Sequence, residues 1–202
     1  MDLAATVFSS GWASGVNAYA TVAMLSIAGR AGVGPIPEGL EKDWVLIGAV
    51  ILFAVEFIAD KVPFFDSAWD SIHTVIRPAI GSALGFAFTG NADVNDFDEL
   101  LGGGTGGVTA LASHGVKAGL RLGINTSPEP ATNIIASLIE DSTVLVVAYF
   151  ALENPELAAA IAFVLLVSGI ALVIFLWKRI RASWRRYREW RDARRAPPGA
   201  PP

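Results

Sequence analysis

Six stretches of the chain are apolar enough and long enough to read as helices of membrane-crossing length, about 17–25 residues each. Residues 157–177 carry no charge and only Ser168 as a polar side chain, between Glu153-Asn154-Pro155-Glu156 and Lys178-Arg179. Residues 44–58 are interrupted by Glu56 alone, and 132–152 mainly by Ser137 and Glu140-Asp141-Ser142-Thr143. Segments of about 4–29, 67–90 and 100–125 are richer in Gly, Ala and Ser, small residues that let helices pack closely. The pattern predicts an all-α membrane protein with about six transmembrane helices. Six divides into three plus three, and because three is odd, halves that repeat must be inverted. Gly15-Val16-Asn17-Ala18 against Gly115-Val116-Lys117-Ala118, and Ile58-Ala59-Asp60 against Ile139-Glu140-Asp141, are the short echoes such a 3+3 inverted repeat would leave.

Polar residues inside these segments fall at helical spacing. Ser10, Ser14, Asn17 and Thr21 are 4, 3 and 4 apart, as are Asp66, Asp70, His73 and Arg77. His114, Lys117, Arg121 and Asn125 run 3, 4, 4; Glu56 and Asp60 are four apart; Asn133, Ser137 and Glu140 or Asp141 make another face. Residues three and four apart stack on one helix face, so each segment carries a polar stripe. Broken or re-entrant segments are expected where glycine and proline accumulate. The run Gly102-Gly103-Gly104-Thr105-Gly106-Gly107 reads as a close-packed helix or a re-entrant loop lining a cavity. It lacks the Gly-Lys-Ser/Thr ending of a phosphate-cradling loop, so no nucleotide cofactor is expected. In Asn125-Thr126-Ser127-Pro128-Glu129-Pro130, Thr126 or Ser127 can cap a helix with Glu129 near its positive end.

Composition sharpens the class. The chain is 53% hydrophobic and 17% charged, with a mean hydropathy of +0.50, whereas soluble domains carry about 25% charge. It has no cysteine, which excludes disulfides, thiolate metal sites and a cysteine nucleophile. The net charge of −4 hides an asymmetry: residues 178–195 hold nine Lys/Arg against two acids, and the preceding chain six against seventeen. Lys/Arg placement sets orientation, so the basic stretch is expected in the cytoplasm. Six crossings would bring the N-terminus to the same side, with Lys61 and Arg121 in inner turns. The chain then divides into a transmembrane helical domain (1–177), a basic amphipathic cytoplasmic tail (178–195) and a disordered Pro-rich end (196–202). Trp184, Tyr187 and Trp190 between the arginines suit an anionic inner leaflet. The expected partners are therefore membrane lipids, a small ion or polar solute and a second copy in a homo-oligomer, with no nucleic acid.

A charge at mid-bilayer costs roughly 2.5–3.5 kcal/mol, so ionisable groups there face inward and are paired, hydrated or bound to a ligand. The expected pathway residues are Asn17, Glu56, Asp60, Lys61, Asp66, Asp70, His73, Arg77, His114, Lys117, Arg121, Asn125, Glu129, Glu140 and Asp141. Carboxylates outnumber fixed cations among them, which suits cations or protons. Arg77, Lys117 and Arg121 suit a phosphate or carboxylate equally. Neither histidine sits in a metal-demanding spacing. The leading expectation is a transporter or channel for a small ion or polar solute. The alternatives are an intramembrane enzyme acting on lipid headgroups with His73 or His114 as base, and a non-catalytic assembly subunit whose charges fix helix register.

Six motifs carry a resemblance: Gly15-Val16-Asn17-Ala18-Tyr19, Ala59-Asp60-Lys61-Val62-Pro63, Asp66-Ser67-Ala68-Trp69-Asp70, His73-Thr74-Val75-Ile76-Arg77-Pro78, Ser113-His114-Gly115-Val116-Lys117-Ala118 and Asn125-Thr126-Ser127-Pro128-Glu129-Pro130. Together they resemble the bacterial membrane family called "domain of unknown function 4126", over about residues 8–178. The resemblance implies a small integral membrane protein with a polar core and implies no activity. Glu56-Phe57-Ile58-Ala59-Asp60-Lys61 is also similar to the Glu-x-Gly-Asp-Lys motif of small inverted-repeat manganese/calcium transporters, with one extra residue between the acids. Arg77-Pro78 and Ser113-His114 depart from the membrane lipid phosphatase pattern, which is rejected: Asp70 stands where that family needs lysine.

Overall fold

The structure is a computed structural model that describes residues 2–62, 65–92, 94–125 and 130–195. Its helices are α1 (Leu3–Val16), α2 (Ala18–Arg30), α3 (Asp43–Ala59), α4 (Phe65–Gly90), α5 (Asp96–Ile124), α6 (Pro130–Glu153) and α7 (Pro155–Arg195), with a 3-10 turn at Glu38–Glu41. No strand occurs among the described residues, so the all-α expectation holds. All six apolar segments are helical. Length and apolarity together single out only two of them, in α6 and α7, as helices able to cross a membrane by composition alone. The Gly, Ser and Thr content of α4 and α5 lowers their apolarity, and α3 has only 17 residues.

The first segment departs most from expectation. Asn17 is extended (φ −148°, ψ 100°), and the chain breaks there into two helices of 14 and 13 residues, each about 20 Å long. α1 descends alongside α5: Val7, near Leu101 and Gly102, lies at one level, Gly11 near Gly106 at the next, and Gly15 near Ala110 and Ser113 below. α2 then runs back along α6. Asn17 meets Asp141, Ala20 packs with Val144 and Val147, and Leu25 and Ala28 join Leu152, Leu84, Phe88 and Val7. Segment 4–29 is therefore a helical hairpin that starts and finishes at one end of the bundle, with Asn17 at its tip. One side chain makes the turn: the Ala20 amide donates to Asn17 Oδ1 at 2.9 Å, capping α2.

Three expectations change with the hairpin. Five long helices, α3 to α7, pass between the two ends of the bundle where six were expected. The 3+3 repeat gains no support, because the helix breaks at Asn17 within Gly15-Val16-Asn17-Ala18 while Gly115-Val116-Lys117-Ala118 is continuous helix. Leu3 and the basic stretch also stand at opposite ends. α7 runs parallel to α5, with Gly169, Val173 and Leu176 beside Val116, Gly119 and Gly123, and continues unbroken as helix through 178–195. Residues 196–202 lie outside the described residues.

Around α1 the helices meet backbone to backbone. A Cβ on Gly11 would lie 2.7 Å from the Gly106 carbonyl oxygen, and one on Gly81 would lie 2.6 Å from the same atom. The glycine run is thus a helical three-way crossing, not a re-entrant loop. Nearly every residue of α1 from Ala5 onward is buried, as expected of a helix enclosed on all sides. Polarity is inverted relative to a water-soluble protein: Arg77 and Arg121 are the largest fully buried side chains, while Trp44, Ile51, Val75, Val108 and Phe163 are exposed.

Candidate functional site: a buried ionic cluster at the hairpin tip

Below the glycine crossing the interior becomes ionic. α3 supplies Glu56 and, at its C-cap, Asp60; α4 supplies Asp66, Asp70 and Arg77; α5 supplies Lys117 and Arg121; α6 supplies Glu140. Arg77 Nη2 donates to Glu56 Oε1 at 2.5 Å, and its Nη1 lies 3.1 Å from Asp70 Oδ1. Lys117 Nζ bonds Asp60 Oδ2 at 2.6 Å and lies 3.6 Å from both Glu56 Oε1 and Glu140 Oε2. Arg121 Nη2 bonds Glu140 Oε2 at 2.7 Å, and the Arg121 guanidinium lies 3.7 Å from Asp60 Oδ2 and from Asp66 Oδ2. The stripes read from spacing thus converge in one chain of contacts from Asp70 to Glu140.

The broken helix docks on this chain. The last carbonyls of a helix lack intrahelical partners and carry the negative end of its dipole. Here Lys117 Nζ donates to Val16 O at 3.2 Å and Arg77 Nη1 to Gly15 O at 3.4 Å. Two cations of the chain therefore close the C-terminus of α1. At the start of α2, Asn17 Nδ2 donates to Asp141 Oδ1 at 3.0 Å, setting a carboxylate beside the positive end of that helix.

The histidines take defined tautomers. A guanidinium only donates, so at 2.7 Å from Arg77 Nη1 the His114 Nδ1 accepts. Its proton is then on Nε2, facing Thr74 Oγ1 at 3.1 Å. His73 Nδ1 donates to the Trp69 carbonyl at 2.8 Å, leaving Nε2 to accept from the Tyr19 hydroxyl at 3.0 Å. His73 is buried beside the cluster but has no ion-pair contact in it. Lys61 stands at the rim, donating to Phe57 O at 2.8 Å and to Ser137 Oγ at 3.3 Å, with its ammonium over the Phe57 ring.

Arg121 is a helical residue in the cluster, not part of an inner turn, because α5 runs on to Ile124. Asn125, the C-cap of α5, donates to Asp66 Oδ1 at 3.0 Å. Glu129 lies outside the described residues. Five residues not expected in the site hold it together. Asn133 accepts from Arg121 at 3.0 Å, Thr74 meets His114, Tyr19 meets His73, Ser14 donates to the Arg77 carbonyl at 3.2 Å, and Ser113 donates to the Trp12 carbonyl at 2.9 Å. The sequence carries a signal for three of them: Ser14 shares the stripe of Asn17, Thr74 lies four after Asp70, and Asn133 lies seven before Glu140.

The sequence that builds this interior matches a known family. The profile described as "Domain of unknown function (DUF4126)" matches residues 4–177. The chain belongs to the DUF4126 family. The match stops where α7 leaves the bundle, so in this DUF4126 chain the basic stretch lies beyond the family domain. No curated protein and no solved structure matches it.

Charge counting states what this DUF4126 interior can do chemically. Glu56, Asp60, Asp66, Asp70, Glu140 and Asp141 face Lys61, Arg77, Lys117 and Arg121, which leaves two negative charges uncompensated. Glu56 Oε2, Asp60 Oδ1, Asp70 Oδ2 and Asp141 Oδ2 are buried and have no hydrogen-bond partner within the chain. Removing charge from water costs several kcal/mol per ion unless it is neutralised. The cluster is therefore richer in acceptor oxygens than in donors to meet them. Among the described residues no group of His, Asp and Glu has the arrangement of a metal site.

Proposed function

We propose that this DUF4126 protein is a multi-pass inner-membrane protein that moves a small ion, and specifically a cation, through its ionic cluster. The observation that carries the reading is the five-to-three excess of buried acids over buried bases around the tip of a broken helix. Ionisable groups buried at membrane depth are usually functional, and unwound helix at mid-membrane is where transporters build their sites. Exposed apolar surface on α3 and α7 supplies the lipid-facing exterior.

In this arrangement the hairpin arms, about 20 Å each, enter and leave on one side without crossing the roughly 30 Å hydrocarbon layer. The basic stretch orients the ionic end to the cytoplasm, so the N-terminus lies outside. That revises the expectation of two cytoplasmic termini, because five crossings replace six. The chain has no cysteine, so single cysteines test it directly. Ala4→Cys and Gly39→Cys are expected to react with a membrane-impermeant maleimide on intact cells, and Ser183→Cys only after permeabilisation. Labelling of Ala4→Cys only after permeabilisation would refute the hairpin topology.

The test of function is flux into proteoliposomes across a panel of alkali, alkaline-earth and hydrogen ions. Asp70→Asn and Asp141→Asn, each with verified folding, are expected to abolish flux. Wild-type flux equal to that of empty liposomes across the panel refutes the reading. One observation favours the assembly-subunit alternative: Arg77, Lys117 and Arg121 are each bonded to a carboxylate, as a register-fixing network requires. It predicts that the Asn variants lower folded yield while no flux exists to lose. The lipid-enzyme alternative gains no support, because the basic nitrogens of His114 and His73 are engaged by Arg77 and Tyr19.

A further inference from the structure

The ionic cluster meets a cleft that opens sideways. α5 and α6 make little direct contact, and between α1, α5, α6 and α7 lies a cavity of about 270 Å³, close to the lower limit of small-molecule sites at about 300 Å³. Trp12, Val116 and Leu165 contribute to its apolar walls, while Lys117, Glu140 and Ser168 also line it. Glu140 is the most exposed acid of the cluster, with 17% of its side chain accessible. Because α6 and α7 form the outer rim, a molecule reaches Glu140 from the hydrocarbon layer rather than from water.

The hydroxyls of the cleft have their own protons already donated and are left as acceptors. Ser113 donates to Trp12 O at 2.9 Å, Thr143 to Ile139 O at 2.7 Å and Ser168 to Val164 O at 2.6 Å. Lys117 is bonded to Asp60 and the Val16 carbonyl. Glu140 Oε2 receives Arg121 and faces Lys117. A carboxylate or phosphate headgroup would meet hydroxyls whose protons are already donated and would add to an existing negative excess. A headgroup that only donates fits both the charge and the hydrogen bonding.

We propose that this cleft binds lipophilic primary ammonium ions, with the alkyl body between α5, α6 and α7 and the ammonium at Glu140. The inference deepens the cation reading by naming a membrane-dissolved substrate class, and it rests on that reading for any transport step. The test is equilibrium dialysis of radiolabelled decylammonium and decanoate against the full-length protein in zwitterionic nanodiscs, after subtraction of empty nanodiscs. Saturable one-to-one binding of decylammonium is expected, at least tenfold tighter than decanoate. Glu140→Gln should weaken it at least tenfold. Because that substitution also removes a partner of Arg121, Ser168→Leu provides the independent variant: it fills the cleft, touches no member of the ionic cluster, and should abolish binding. Equal or tighter binding of decanoate, or unchanged binding in Ser168→Leu, overturns the proposal. The two readings fail separately: saturable alkali-ion or proton flux without ammonium binding overturns only the cleft, and binding without any flux overturns only transport.

Discussion

The two ends of the bundle solve the same problem of burying polar atoms by opposite means. At the glycine end, α1, α4 and α5 approach until only backbone separates them, and Gly11, Gly81 and Gly106 leave no room for a side chain. At the ionic end the helices stand farther apart, and long charged side chains from α3 to α6 fill the space between them. Close packing is rigid and has no alternative partners. An ion-pair chain can exchange partners, since Lys117 lies within 3.6 Å of three carboxylates. The hairpin joins the two regimes, with its base at the packed end and its tip in the ionic one. Under the proposed transport reading, the ionic half is the permeable one and the glycine half the closed one.

The largest effect is expected at the packed end. Gly106→Leu sets a branched side chain against the backbone of Gly81 and Gly85 on α4, which cannot move without separating two helices. Such overpacking against backbone exceeds the 1–3 kcal/mol typical of cores. Size-exclusion chromatography of the detergent-solubilised variant should therefore recover no monodisperse protein. A well-folded Gly106→Leu would mean that the crossing is looser than the contacts require.

Next comes the ionic end. Arg77→Met removes the partner of Glu56 and Asp70 and leaves both carboxylates buried, a change worth roughly 3–5 kcal/mol. Adding Glu56→Leu removes one of the stranded charges and should restore part of the loss, giving a coupling of about 1–3 kcal/mol in a double-mutant cycle read from thermal unfolding. A cycle that closes to zero would show that the two residues touch without stabilising each other.

How much of this contrast is legible in the sequence depends on what spacing encodes. The 4-3-4 rhythm of Asp66, Asp70, His73 and Arg77 fixes which face turns inward, and all four are buried. The acids and bases expected to meet do so because each stripe has only one interior to face. Spacing carries no information about direction, so nothing in Ser10, Ser14, Asn17 and Thr21 reveals that the chain reverses at Asn17. That depends on a single extended residue whose side chain caps the next helix. The glycine run was ambiguous for a related reason: low helix propensity marks a loop as readily as a tight crossing, and only the facing glycines of α1 and α4 decide. Arg121 falls both on the polar stripe of segment 100–125 and near its basic end, so spacing and orientation rules pull it to helix and turn alike; α5 keeps it helical, beside Asp60, Asp66 and Glu140.

A smaller effect isolates the joint between the two regimes. Asn17→Ala removes the α2 cap and the donor to Asp141 together, and should lower stability by about 1–2 kcal/mol. Asn17→Asp keeps the capping oxygen but opposes a carboxylate to Asp141, so it should melt below the Ala variant. The reverse order would mean that capping outweighs the contact at the tip.

The smallest effect asks whether the glycine run is uniform. Gly104 lies in the same run as Gly102, Gly103 and Gly106, yet a Cβ there meets nothing within 4 Å and the residue is exposed. Glycine inside a helix is less favourable than alanine by about 0.8–1.0 kcal/mol, chiefly through backbone entropy. Gly104→Ala should therefore raise the melting temperature, while Gly106→Ala, two residues on, should lower it because its Cβ collides with the Gly81 carbonyl. Opposite signs from one substitution at neighbouring positions separate helix propensity from interhelical contact. Two shifts of the same sign would show that the run acts through local chain flexibility, and that the three helices do not need the close approach that distinguishes this end of the bundle.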